Sequence, residues 1–181
     1  MATTKRVNWN GFSVSNLRTS RGVEYEAYSC DLMLNGKKVA EVIEDGWGGP
    51  LNIDMMGGFS YKKLDAVCNT FREPTVYKDV EVPFDAEIFI SELVQKEQMA
   101  RDVRRQNNKG YGICKVEFGN FHRDEYFNVP LPWSDEKLGD DMKRKFPKDP
   151  IKAITFWRNP SDLDLNDKPV RLEQILVGKK N

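Results

Sequence analysis

The stretch Asp45-Gly46-Trp47-Gly48-Gly49-Pro50 sets four small or turn-forming residues around one tryptophan. Backbone N–H groups in such a run can converge into an anion nest, and the indole can meet a base or a partner's side chain. A plainer reading is a strand-ending loop with glycines at positive φ and Trp47 lying over a sheet edge. No Gly-Lys-Ser/Thr follows and no helix opens here, so the run is neither a phosphate loop nor a dinucleotide fingerprint. The candidate partner-binding residues are Asp45, Trp47, Gly48 and Gly49.

A second constellation is basic. Arg101, Arg104, Arg105, Lys109 and Lys115 lie close in sequence with Tyr111 among them, and from Lys96 to Lys115 there are six basic and two acidic residues. Such a patch can contact phosphates while Tyr111 stacks on a base. Compensation of a helix dipole accounts for the same residues without a ligand. A third candidate is Asp162, Asp164, Asn166 and Glu173, which fall at positions one, three, five and twelve of a calcium loop. Asp167 stands where that loop needs glycine, and Pro160 blocks the helix that should enter it, so a solvated acidic loop is the expectation.

Catalytic sets are missing. His122 is the sole histidine, which excludes a multi-histidine zinc site and leaves one candidate base for a serine or cysteine nucleophile. Glu44, Asp45, Asp54 and Glu117 are the carboxylates that would have to gather as magnesium ligands in a nuclease. No catalytic residue, metal ligand or cofactor is assigned.

The elements that must position these residues read as α+β. An antiparallel sheet built from hairpins carries two to three helices on one face, because the strands come in adjacent pairs and not in single βαβ crossovers. Strands occupy the region from Phe12 to Ile53. The phase of Val23–Leu34 is mixed, which predicts a bulge or a change of partner. Asn35-Gly36 supplies a type I′ turn before a return strand over 38–44, and a short strand follows over 51–54. Helical spacing starts near Tyr61 and stops before Pro74. A longer helix spans 85–107, capped by Asp85 and stapled by Phe84 and Phe89, with Ala86, Phe89, Ile90, Leu93, Ala100 and Val103 as its buried stripe. A second hairpin joins 111–118 to 124–129, Ser134 caps a short helix carrying Leu138, Met142 and Phe146, and 151–157 is a strand. One domain over 1–181 is expected, divisible into a β-meander (1–58), helices with the second hairpin (59–157) and a tail (158–181).

Composition bounds the rest. The 181 residues carry 28 Lys+Arg and 28 Asp+Glu, a net charge of zero that excludes a uniformly basic nucleic-acid clamp and an acidic DNA mimic. Neutrality is a sum of opposed segments: residues 1–22 carry four positive and no negative charges, whereas 23–58 carry two against seven. Aromatics at 11% suffice for a core and exclude disorder as the main state. Cys30, Cys68 and Cys114 are widely spaced and odd in number, as expected of free thiols in a reducing cytoplasm. No apolar run is long enough for a membrane span and no secretory signal is evident, so a soluble cytoplasmic protein is expected.

The run from Tyr28 to Gly49, with its Asn35-Gly36-Lys37-Lys38 turn and its Asp45-Gly46-Trp47-Gly48-Gly49 strand end, resembles the N-terminal hairpin of a loose group of uncharacterised proteins from bacteriophages and other mobile elements. Those proteins often have His where Trp47 stands. The resemblance covers about forty residues, less than a quarter of the chain. It implies a phage or plasmid context and lends no activity. The leading expectation is a non-enzymatic accessory protein that binds a bacterial host or defence protein. The alternatives are a nucleic-acid-binding protein using the basic end of the 85–107 helix, and a metal-dependent nuclease.

Overall fold

The computed structural model describes residues 6–119 and 124–163. Their order is β1 (Phe12–Arg21), β2 (Glu26–Leu34), β3 (Lys37–Glu44), β4 (Asn52–Met55), α1 (Tyr61–Cys68), β5 (Thr75–Tyr77), β6 (Val80–Val82), α2 (Ala86–Asn107), β7 (Tyr111–Phe118), β8 (Asp124–Pro130), α3 (Asp135–Lys145) and β9 (Ile151–Trp157). A 3-10 turn, Pro160–Leu163, follows. The α+β class holds, with antiparallel sheets made from hairpins and three helices. Two compact units divide at 97/98, inside α2, whereas the expected subdivision lay at 58/59 and 157/158.

In the unit spanning 6–97, β1 to β4 form a meander in sequence order. Asn35 and Gly36 take φ of +49° and +79°, and Leu34 faces Lys37 across them, which is the two-residue turn that Asn-Gly dictates. The mixed phase of β2 has its cause in its neighbours. β1 gains a residue between Ser15 and Arg18, where Asn16 sits at φ +52°, and β3 gains one at Val39, so β2 itself runs regularly between two bulged partners. β2 begins at Glu26 and not at Val23, because the N–H groups of Glu24 and Tyr25 donate to the Gly46 carbonyl (2.9 and 3.1 Å) instead of joining a ladder.

Ser60 caps α1, its hydroxyl accepting from Lys63 N–H. The helix ends at Cys68, earlier than the spacing up to Phe71 predicts, since Asn69 closes it and Thr70 and Phe71 fold back onto the Val67 and Cys68 carbonyls. Phe71 nevertheless keeps its place in the core. Phe89 of α2 lies among Phe12, Phe71, Trp9 and Phe84, with ring centroids 5.0–6.4 Å away. The cap and staple of α2 form as expected: Asp85 Oδ1 accepts from Ile88 N–H at 2.9 Å, and Phe84 meets Phe89 edge to face. All six stripe residues are buried, joined by Val94 and by Glu97, whose Oε2 accepts the Val7 N–H at 3.0 Å. The β5–β6 hairpin lacks a sequence signal of its own, yet Lys78 and Asp79 both take positive φ in its turn. Its Val76, Tyr77 and Val80 are exposed.

In the unit from 98 onward, β7 is central in the order β8-β7-β9. Cys114, Val116, Phe118, Val129, Leu138, Met142, Ile154 and Phe156 make its core. Ser134 caps α3 through Lys137 N–H, Leu138 and Met142 point inward, and Phe146 closes the edge against Phe118 and Phe127. These match the expected hairpin, helix and strand. All three cysteines are free and buried. Among the described residues no helix is long and apolar enough to cross a membrane.

Candidate functional site

Two loops meet at the end of the first sheet opposite the Asn35-Gly36 turn. One runs from Gly22 to Tyr25 between β1 and β2, and the other, 45–50, leaves β3. Their backbones touch: a Cβ on Gly22 would stand 2.2 Å from the Tyr25 carbonyl oxygen and 2.7 Å from the Gly46 Cα. Gly46, at φ +78°, has no more room, and its carbonyl takes both loop N–H groups. Two glycines at the crossing therefore allow two chains to lock where any side chain would hold them apart.

The lock fixes what projects beyond it. Trp47 is 64% exposed, and Val23 and Tyr25 are each 66% exposed. The Tyr25 ring and the Glu24 carboxylate lie against Gly48, where a Cβ would come within 2.9 and 3.1 Å of them. Trp47 thus does not pack over the sheet edge, as the plainer reading expected, but stands in solvent at the tip. Gly49 is exposed with open space around it.

An anion nest is not what the loop forms. Asp45 Oδ1 accepts the Trp47 N–H and Glu44 Oε1 accepts the Gly46 N–H, each at 2.9 Å. Two of the donors that would cradle an anion are thereby occupied by carboxylates, which repel one. Sequence reasoning found Asp45, Trp47, Gly48 and Gly49 but missed Val23, Tyr25 and Glu24. Gly22, one glycine after a strand and before an aromatic, was the available signal.

The basic run is differently placed. Arg104 and Arg105 lie in the last turn of α2 as the helix dipole prefers, and Lys109 and Tyr111 follow the helix end, with Tyr111 39% exposed. Arg105 is paired to Asp102 at 2.9 Å, while Lys115 stands between Glu117 (3.0 Å) and Asp124 (2.8 Å). Those bonds raise the Lys115 pKa against the opposing effect of burial, which is the largest single influence on it. Arg101 and Arg104 also have interactions within the protein. Carboxylates therefore offset part of the positive field that the sequence places here.

The nuclease carboxylates have separate tasks. Glu44 and Asp45 hold backbone N–H groups, Asp54 faces Glu41 across the β3–β4 ladder, and Glu117 pairs with Lys115. No group of three or more His, Cys, Asp or Glu among the described residues is set to hold a metal ion. Asp162 caps the turn after β9, its Oδ2 accepting the Arg158 and Asn159 N–H groups at 2.6 and 2.9 Å. The other members of the calcium-loop pattern, Asp164, Asn166 and Glu173, and also His122, lie outside the described residues. Comparison with protein families, with characterised proteins and with solved structures finds no match.

Proposed function

We propose that the chain acts by binding another protein through the tip formed by Val23, Tyr25 and Trp47, without catalysing a reaction. One observation carries this reading: three large apolar side chains, each about two-thirds exposed, project from two loops locked to each other by backbone hydrogen bonds. Exposed aromatics on a rigid support lose little conformational freedom on binding, which is the property of an interface anchor. The resemblance of the Tyr28–Gly49 run to mobile-element proteins supports a bacterial host or defence protein as the partner, met in the host cytoplasm. Three buried free thiols accord with that compartment.

The test is capture of a host protein from bacterial lysate by the tagged chain, side by side with Trp47→Ala. One specific protein should be retained by the wild type and lost by the variant. Capture that is unchanged by Trp47→Ala, or no specific capture, overturns the proposal.

Nucleic-acid binding through Arg101, Arg104, Arg105, Lys109 and Tyr111 has less support, because Arg105 and Lys115 are already paired with carboxylates. It requires an affinity for a short duplex or single strand that falls steeply with salt and weakens on Arg104→Ala with Arg105→Ala. The nuclease reading requires carboxylates gathered around one point, and Glu44, Asp45 and Glu117 are engaged elsewhere.

A further inference from the structure

We infer that the tip takes a cationic segment of its partner, an arginine side chain seated on Trp47 and Tyr25 with its guanidinium directed at Glu24 and Asp45. The inference rests on the protein-binding reading above and adds the chemistry of the occupant.

Charge complementarity is its basis. Residues 23–58 contain seven carboxylates and two lysines. Both lysines sit beside the Asn35-Gly36 turn, at the far end of β2 and β3, about 25 Å along an eight-residue strand from the tip. Lys38 is further committed to Asp31 at 2.7 Å and to Glu41. At the tip end Arg21 stands opposite Glu26 across the β1–β2 ladder. The Glu24 and Asp45 residues that flank the aromatic side chains are both exposed. The tip therefore offers aromatic faces bordered by negative charge.

That pairing selects among occupants. An apolar side chain would bury the rings but would desolvate nearby carboxylates without a counter-charge. An acidic or phosphorylated segment would be repelled. A guanidinium is planar and weakly hydrated, so it stacks on an aromatic face while its edge donates to carboxylates. Lysine satisfies the charge but not the stacking, and arginine satisfies both. Glu24 is placed for this role by the contact of its carboxylate with Gly48, which also brings the Tyr25 ring to the same point. Asp45 is held by its bond to the Trp47 N–H.

The test uses two variants that remove charge and keep geometry. Asp45→Asn retains an oxygen to accept the Trp47 N–H, and Glu24→Gln retains the shape against Gly48. The probe is a blocked peptide alternating arginine and alanine, with glutamine–alanine and glutamate–alanine peptides as controls, read by the Trp47 indole N–H resonance of the ¹⁵N-labelled full chain. The arginine peptide should shift that resonance saturably, about tenfold more tightly than it does in the double variant, and high salt should weaken it; the control peptides should not shift it. Equal shifts from the glutamine peptide, or no change in the double variant, overturn the inference. The protein captured from lysate separates the two levels. Capture lost in Trp47→Ala but unaffected by Glu24→Gln with Asp45→Asn leaves the binding function standing and removes the cationic occupant. Capture unaffected by any of them removes the function itself.

Discussion

Replacing Gly46 by alanine should unlock the two loops and loosen the first sheet from its tip. Two costs arise at one residue. Alanine at φ +78° is strained by ~1–2 kcal/mol. Its Cβ would also stand 2.7 Å from the Gly22 Cα and 2.8 Å from the Tyr25 carbonyl oxygen, both backbone atoms that move only if the loops part. Parting them breaks the bonds from Glu24 and Tyr25 to the Gly46 carbonyl, each contributing ~0.5–1.5 kcal/mol. The combined expectation is a loss of about 2–5 kcal/mol. Because the chain has two compact units, a single global unfolding midpoint would mix them. Native-state hydrogen exchange of the slowest β2 and β3 amides reports on the first unit alone. Two controls divide the cost. Gly57, at φ +64° with open space around it, should cost only the ~1–2 kcal/mol of backbone strain when made alanine. Gly49, with no positive φ and open space, should change stability by less than about 0.5 kcal/mol. If Gly46→Ala costs no more than Gly57→Ala, the steric lock between the loops is refuted.

Three other expectations follow from buried or paired groups. The hydrogen bond from Lys38, with help from Asn16, holds the Asp31 carboxyl below its usual range against the opposing effect of burial, so its contribution to stability is complete above about pH 4 and disappears as pH falls through the depressed folded value. The stability difference between wild type and Asp31→Asn, read from native-state hydrogen exchange of the same β2 and β3 amides, should therefore shrink on acidification below about pH 4; a pH-independent difference contradicts this. Glu97→Leu should cost about 1–3 kcal/mol by leaving the buried Val7 N–H without its acceptor, and Glu97→Gln should restore much of it, as read from native-state hydrogen exchange of the same β2 and β3 amides. Burial pushes the Cys68 and Cys114 thiols up to about 12, so alkylation at pH 8 should await unfolding, and labelling of either within minutes in native buffer would show that reasoning to be wrong.

Features written locally in the chain were legible in it. Asn35-Gly36 is its own turn, and the α2 stripe, the Asp85 cap and the Phe84–Phe89 staple are local patterns that need no knowledge of the rest of the fold. What escaped depends on contacts between distant segments. Val23–Tyr25 reads as strand by its residue types, and only the Gly46 carbonyl, over twenty positions away, draws it off the ladder. The β5–β6 turn uses Lys78-Asp79, which carries no left-handed preference as strong as Asn-Gly, and its three-residue strands are too short for a period to show. Glu97 interrupts an apolar stripe and would be placed toward solvent by type alone, yet the Val7 N–H, ninety positions earlier, gives it a reason to be inside. The division at 97/98 is invisible because the helical pattern continues unbroken across it. The site was half read for the same reason: the loop bearing Trp47 announced itself by composition, and its partner loop did not.

The β5–β6 hairpin, a sheet of two strands among the described residues and exposed along β5 and most of β6, offers an experimental handle. A two-residue turn at Lys78-Asp79 is where a tag, a spin label or a short insertion enters with least disturbance to either core. The same openness limits what can be grafted there. Among the described residues neither edge pairs with another strand beside Val76, Tyr77 and Val80, so an inserted sequence of alternating apolar residues would extend a ready-made template for aggregation, while a charged or proline-bearing one would leave it short.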